Sequence, residues 1–282
     1  MQVQTIDYAE PAAADKFAAS LRDTGFAVLT NHPIPSSLLE RLYSNWLDFF
    51  HDASRRDYLF DPDGKYGVQE GYVPAEVSET AVGESTRDLK EFFNVKTDGR
   101  MPAQLAADIQ EYRQRALALG KELVDWIEAR LPSSVQLSEP LSAMLSDEES
   151  LLRVIHYPPL AAAQDLSGVR AASHEDINIV TVLPASDQPG LQAKSLDGTW
   201  HDLASRKGDL IINAGDMLQE ATDRFIPSTT HRVVNPTRPE HNVSRIAIPY
   251  FLGARTDVVL SERYTAGAYR AERLHNLNPE HH

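Results

Sequence analysis

The chain has 282 residues, no cysteine, and 41 acidic against 27 basic side chains, a formal net charge of −14. Without cysteine there is no disulfide, no thiolate metal site and no cysteine nucleophile, so any metal must be held by histidine and carboxylate. The acidic balance disfavours nucleic acid and anionic membranes as partners. No apolar run nears the ~20 residues of a membrane span, and Met1-Gln2-Val3-Gln4 does not open a secretory signal, so a cytoplasmic chain is expected.

Ile6-Asp7-Tyr8 reads as a short strand, and 15–22 as a helix with Phe17, Ala18 and Leu21 inward, stopped at Thr24-Gly25. Phe26 to Thr30 is a strand closed by Asn31-His32-Pro33, and His32 is given a structural role. After Pro35, Ser36 and Ser37 are expected to cap a helix with Leu38, Leu39, Leu42, Trp46, Phe49 and Phe50 on one face. Residues 52–71 are polar and read as a loop with a turn at Asp63-Gly64. Strands follow at 71–74 and 89–95, a long helix at 104–131 and a short helix at 138–148. From Leu151 the pattern changes to short β runs: 151–157, 177–183, 190–194, 199–203, 210–213, 217–221, 229–234 and 243–252. Asp197-Gly198 is a hairpin turn signal between two of them. Strands at this spacing predict a sandwich or barrel. Residues 261–274 read as a helix, and the terminal His281-His282 is given no role.

Ser173-His174-Glu175-Asp176 opens one of these β runs. His174 and Asp176 are two apart and point to one side of an extended segment. His231 lies 55 residues beyond Asp176 in Thr229-Thr230-His231-Arg232-Val233-Val234. Two imidazoles and one carboxylate on one face of a metal form the ligand set of non-haem Fe(II) oxygenases, with the remaining positions open. An H-x-D triplet alone is common by chance. A zinc-protease reading of His174-Glu175 needs a second histidine at 178, where the chain has Asn178. The combination is what carries the signal: triplet, distant histidine, and Arg245 a further 14 residues on in a strand. Arg232, next to a ligand, is expected to face away in a structural role.

The chain resembles the isopenicillin-N-synthase-like branch of the Fe(II)/2-oxoglutarate-dependent dioxygenases. The matches run in order through Gly25-Phe26, Thr30-Asn31-His32, Phe49-Phe50, Gly71-Tyr72, Lys90-Glu91-Phe92 and Tyr157-Pro158-Pro159. They continue through His174/Asp176, Gly190-Leu191-Gln192, Asn213-Ala214-Gly215-Asp216, His231-Arg232-Val233 and Arg245. The resemblance implies a mainly β chain with flanking helices around a double-stranded β-helix, or jelly roll. It divides the single structural unit into an N-terminal α/β region (1–100), helical support (101–150), the jelly-roll core (151–255) and a C-terminal helix and tail (256–282).

The same resemblance implies Fe(II) held by His174, Asp176 and His231, with 2-oxoglutarate as cosubstrate and O2 as oxidant. Arg245 would take the far carboxylate of 2-oxoglutarate, since a guanidinium binds carboxylates bidentately. Arg153 and Tyr157 match positions near the cosubstrate. Tyr72, Arg87 and Phe92 fall near the active-site mouth, and Gln219, Thr222, Arg224, Phe225 and Phe251 complete the expected substrate wall. A small-molecule substrate and a monomer are expected. One position departs from the family's Arg-x-Ser, where the serine helps hold the carboxylate: here the run is Arg245-Ile246-Ala247. Two other readings remain open at this point. One is an oxidase of the same fold that does not use 2-oxoglutarate, and the other is a cupin-like metal-binding protein without turnover.

Overall fold

The computed structural model describes residues 1–60, 70–77, 88–96, 99–160, 169–186 and 188–277. The Asp63-Gly64 turn, Arg87 and the terminal histidines lie outside them. The first half runs β1 (Thr5–Asp7), α1 (Ala13–Thr24), β2 (Phe26–Thr30), α2 (Ser36–His51), β3 (Gly71–Val73), β4 (Glu91–Val95), α3 (Ala103–Glu128) and α4 (Leu141–Met144). The second runs β5 (Leu145–Tyr157), β6 (Ala171–His174), β7 (Val180–Pro184), β8 (Leu191–Lys194), β9 (Trp200–Asp202) and β10 (Leu210–Ala214). It closes with α5 (Asp216–Ala221), β11 (His231–Val233), β12 (Arg245–Ala247), β13 (Tyr250–Ala254) and α6 (Ala266–Leu277).

The strands form two sheets. The larger has the order β1-β2-β10-β7-β13-β5-β4-β3, with β12 also paired to β5, and the smaller has the order β6-β11-β8-β9. From β5 onward the chain passes back and forth between them, which makes a double-stranded β-helix. Strands β1 to β4 from the N-terminal half extend both edges of the larger sheet.

The larger sheet is buried on both faces, so its strands read as continuous apolar runs. In β10, Leu210, Ile212 and Ala214 join the core under the helices, while Ile211 joins the core between the sheets. In β5, Leu152 and Val154 face the helices, and Ile155 and Tyr157 face the smaller sheet. On the helix side, Trp46 of α2 is fully buried and packs against Phe49 and against Phe93 of β4, with ring centroids at 5.2 and 5.3 Å. The 26 residues of α3 span about 39 Å at 1.5 Å per residue. Its buried Tyr112 hydroxyl lies 3.2 Å from the Val182 carbonyl and 3.3 Å from that of Ile248, tying the helix to β7 and to the turn before β13.

Several expected elements differ. Residues 217–221 form helix α5, not a strand: Met217, Leu218 and Ala221 suit either period, and a run this short does not decide between them. Residues 177–179 are not strand, because they belong to the loop that carries Asp176, and β7 starts at Val180. The 243–252 run splits into β12 and β13 around Pro249, which has no N–H to donate to a ladder. Of the expected 138–148 helix only α4 forms, because Leu145 and Ser146 pair with Ala254 and Gly253. The C-terminal helix begins at Ala266 instead of Ser261. Ser36 and Ser37 do not cap α2: the N-cap is Pro35, in extended conformation, and no side-chain cap bond is made.

Candidate active site

His174 ends β6, His231 begins β11, and the two are direct partners in the antiparallel ladder. That pairing sets their ring centroids 4.4 Å apart. Asp176, two residues past His174, places Oδ1 3.7 Å from His174 Nε2 and 3.6 Å from His231 Nε2. One ligand atom from each of the three residues lies within 4.8 Å of the other two.

Each of these atoms is fixed by what its neighbour atom does. His174 Nδ1 faces the Ala172 carbonyl at 2.8 Å, and His231 Nδ1 faces the Thr229 carbonyl at 3.1 Å. A carbonyl only accepts, so both Nδ1 atoms carry the proton and both Nε2 lone pairs face the shared point. On Asp176, Oδ2 accepts from Thr181 Oγ1 at 2.5 Å and from Asn213 Nδ2 at 2.8 Å, leaving Oδ1 for a metal. Burial pushes the Asp176 carboxyl up, but His231, His174 and the two hydrogen bonds outweigh it, so its pKa lies below the ordinary value and it is ionised at neutral pH. Two imidazoles and a carboxylate aimed at one point suit a divalent first-row metal and leave several of its positions open.

Two glycines allow this placement. The loop carrying Asp176 is gripped by the chain leading into α5: the amides of Gly215, Asp216 and Met217 donate to the carbonyls of Ile179, Asp176 and Asn178 at 3.0, 2.8 and 3.0 Å. A Cβ at Gly215 would stand 2.3 Å from the Asn178 carbonyl oxygen, so only glycine permits the approach. Gly25, at φ 71°, closes α1 where a Cβ would lie 2.4 Å from Thr229 Oγ1, and Phe26 then packs edge-on against His231.

The metal-facing atoms open into a cavity of about 340 Å³ between the sheets. At its inner end Arg245 of β12 is the ladder partner of Tyr157 of β5, its guanidinium 5.5 Å from the Tyr157 ring. Arg245 is only 5% exposed, and Arg170, whose guanidinium lies 5.8 Å from the same Tyr157 ring, only 1%. Burial and the repulsion of Arg245 pull Arg170 down to about 10. Of the two, Arg245 lines the cavity, and a buried guanidinium repelled by a second one suits an incoming carboxylate, which fits the far carboxylate of a 2-oxo diacid. Ala247 lines the same end. Lys90, also in the wall, is paired with Asp88 at 2.7 Å, and Asp88 in turn accepts the Ala172 amide at 2.9 Å.

The expected substrate wall is only partly present. Phe251 lines the cavity. Arg153 lines it too, but four residues before Tyr157, about 13 Å along the strand at 3.3 Å per residue. There it stacks 4.2 Å over Phe92 and donates to Asn94 at 2.8 Å, away from the Arg245–Tyr157 pair. Tyr72 and Phe92 are buried in packing instead, and the Tyr72 hydroxyl is taken by Glu91. Thr222 is buried and donates back to the Leu218 carbonyl, Gln219 accepts the Ser228 amide, and Phe225 packs on the helix-side core. Arg224 is exposed at a left-handed turn position. These four leave the wall because the 217–221 segment is a helix packed on the core. Arg87 lies outside the described residues. Arg232 faces away, as its position beside His231 predicts, and stacks 4.0 Å over Trp200.

Sequence reasoning passed over Thr181, Lys96 and Arg270. Thr181 carries no motif, and its role exists only because β7 folds back under Asp176. Asn213 was legible only as part of Asn213-Ala214-Gly215-Asp216, without its function.

The sequence profile of the 2OG-Fe(II) oxygenase superfamily matches residues 148–254, and that of the non-haem dioxygenase in morphine synthesis N-terminal region matches residues 3–115. The chain is 28% identical to proline hydroxylase buaE of Petromyces alliaceus, over 97% of this chain and 99% of that one. It is 23% identical to isopenicillin N synthase of Streptomyces clavuligerus, over 92% and 84%. Among solved structures it matches one assigned as an oxygenase of Shewanella oneidensis, with TM-score 0.88, 44% identity, and 98% and 99% coverage. It also matches a full-length Neurospora crassa protein solved in complex with alpha-KG, with TM-score 0.76, 21% identity, and 96% and 94% coverage. The chain belongs to the 2OG-Fe(II) oxygenase superfamily, in its isopenicillin-N-synthase-like branch. It is accordingly an oxidoreductase that uses Fe(II), 2-oxoglutarate and O2.

Proposed function

We propose that His174, Asp176 and His231 bind the iron, that Arg245 and Tyr157 receive the far carboxylate of 2-oxoglutarate, and that the outer part of the cavity holds a small molecule to be oxidised. The observation that supports this reading most is the convergence of His174 Nε2, Asp176 Oδ1 and His231 Nε2, each set by a hydrogen bond on the other atom of its group. Bound together, iron, O2 and 2-oxoglutarate supply the oxidising power that removes a substrate hydrogen, with release of succinate and CO2.

The protein's share is positional. The two Nε2 atoms and the ionised Asp176 carboxylate are a donor set for a divalent metal. Arg245 fixes the direction in which a 2-oxo diacid enters. The apolar residues between, such as Leu183, Leu191 and Val233, keep water from the reacting side. A chain that acts as a monomer in the cytoplasm is part of the same proposal.

Replacing His231 with alanine is expected to abolish stoichiometric iron binding while far-ultraviolet circular dichroism stays unchanged. Undiminished iron in that variant would overturn the ligand assignment. Succinate formation under air with Fe(II) and 2-oxoglutarate tests the cosubstrate. Substrate-dependent O2 uptake without succinate would instead identify an oxidase of the same fold.

A further inference from the structure

The cavity wall has a charge pattern that the iron and cosubstrate ends do not use. Among the described residues it carries five cationic side chains and four carboxylates, on a chain whose net charge is −14. Most of these charges are matched. Lys90 is paired with Asp88, Arg270 of α6 with Glu149 of β5, and Glu175 with Thr230 and Arg273. Arg245 faces the cosubstrate end, Asp176 the metal, and Arg153 stacks on Phe92 and donates to Asn94.

Lys96 is different. It follows β4 directly, and because Val95 pairs with Leu152, it falls opposite Leu151 at the outer end of the cavity. It is half-buried, and no carboxylate oxygen of the described residues lies within 4 Å of its ammonium. The two acids near it are engaged elsewhere: Glu149 is held by Arg270, and Glu70 accepts the Arg100 amide at 3.0 Å. Beside it in the wall stand the paired Glu149 and Arg270, and the apolar Leu151 and Phe251 from neighbouring strands and Leu274 from α6.

We propose that Lys96 is the substrate's anion anchor, and that the substrate is a small carboxylic acid whose carboxylate meets Lys96 while its apolar body lies on Leu151, Phe251 and Leu274. This rests on reading the cavity as an oxygenase site. A half-buried ammonium beside apolar side chains is held there against desolvation, and an incoming carboxylate would supply a partner that no described residue provides. The direction of its titration agrees: burial first, then Arg270, lowers the Lys96 pKa. Lys96 falls opposite Leu151 and Arg245 opposite Tyr157 of the same strand, so substrate and cosubstrate carboxylates are sorted by position.

The test uses the full chain loaded with Mn(II), which occupies the same donor set without turnover, in the presence of 2-oxoglutarate. Benzoate, phenylacetate, cyclohexanecarboxylate and N-acetylproline are each titrated calorimetrically beside the matching primary amide. The proteins compared are wild type, Lys96→Met and Lys96→Arg. At least one acid is expected to bind wild type with Kd below about 5 mM and at least tenfold tighter than its amide. Lys96→Met should abolish that preference, and Lys96→Arg should keep it. Absence of acid binding to wild type, or an acid preference that survives in Lys96→Met, overturns the proposal. So does a loss of 2-oxoglutarate affinity in Lys96→Met, which would put Lys96 at the cosubstrate end. Failure of 2-oxoglutarate to bind wild type would instead overturn the cosubstrate reading. The acid–amide comparison on the Mn(II) protein alone would then still decide Lys96.

Discussion

Asp176 carries the metal chemistry through one oxygen because Thr181 and Asn213 hold the other. Asn213→Ala removes one of these two partners without touching a ligand. Iron affinity is expected to fall by about 10- to 100-fold, the usual effect of losing an orienting partner, read by competition with a chelator. At the inner end of the cavity, Arg245 and Ala247 divide the work differently. Truncating Arg245 leaves a buried carboxylate without its cation, so Arg245→Ala should eliminate 2-oxoglutarate binding in an anaerobic titration of the Fe(II) protein. Ala247 occupies the place of the family serine, and a polar pocket of about 20 Å³ lies beside it, lined by Ser186, Gln188, Ser205 and Arg245. That volume accommodates one water, enough to supply the hydrogen bond a serine would make. Ala247→Ser should therefore leave 2-oxoglutarate affinity unchanged or tighten it by up to about tenfold. A weakened affinity would show that the site needs the space instead.

Behind the cosubstrate end, β4, β5 and β12 are joined by a polar chain on the face away from the cavity. His156 Nδ1 lies 2.7 Å from Glu91 Oε1, and its Nε2 lies 3.1 Å from Ser244 Oγ, beside Arg245. The other Glu91 oxygen takes the Tyr72 hydroxyl, which also receives Arg55 at 3.1 Å. Burial raises the Glu91 pKa, but His156, Tyr72 and Arg55 together bring it below the ordinary value. A carboxyl whose folded pKa is depressed adds stability above its unfolded value of about 4.3, and that contribution disappears as pH falls through the folded value. Glu91→Gln is therefore expected to lower stability at pH 7 by about 1–3 kcal/mol, with the gap to wild type closing toward pH 3. Urea unfolding at several pH values checks this. A gap that stays constant with pH would mean that packing, not charge, carries the effect. Through Ser244, the same variant should weaken 2-oxoglutarate binding modestly while leaving iron affinity alone.

At the scale of the molecule, the site exists where the two sheets face each other and α6 closes one side. Arg270 of α6 holds Glu149, and Arg273 holds Asp216 at 2.9 Å while the Tyr269 hydroxyl donates to the same carboxylate. The C-terminal helix is thus tied by side chains to β5 and to the start of α5. Large apolar side chains left exposed among the described residues, such as Leu59, Val77, Leu196 and Val259, are scattered along the chain. Combined with the net charge of −14, this predicts a single-chain mass by light scattering at concentrations up to tens of micromolar. A concentration-dependent dimer would show that a face considered free is covered.

Much of this was legible in the chain itself. His174, Asp176, His231 and Arg245 stand out by their combination and by the family resemblance, whereas the helices α1, α2 and α3 and the β-rich second half follow from local pattern, because period and turn residues are properties of short segments. The Asp197-Gly198 hairpin is another such case, joining β8 to β9. What tertiary structure alone decided was which side chains share a space. Residues 217–221 carry apolar residues that suit either period, and became a helix because the Gly215 to Met217 amides are spent on the Asp176 loop. That packing took Gln219, Thr222, Arg224 and Phe225 away from the cavity. Arg153 and Tyr157 stand on the same face of one strand, yet only Tyr157 reaches Arg245, because ladder register fixes distance along a strand and no composition records it. Lys96 had no motif at all: its place in the wall depends on β4 pairing with β5, a contact between segments more than fifty residues apart.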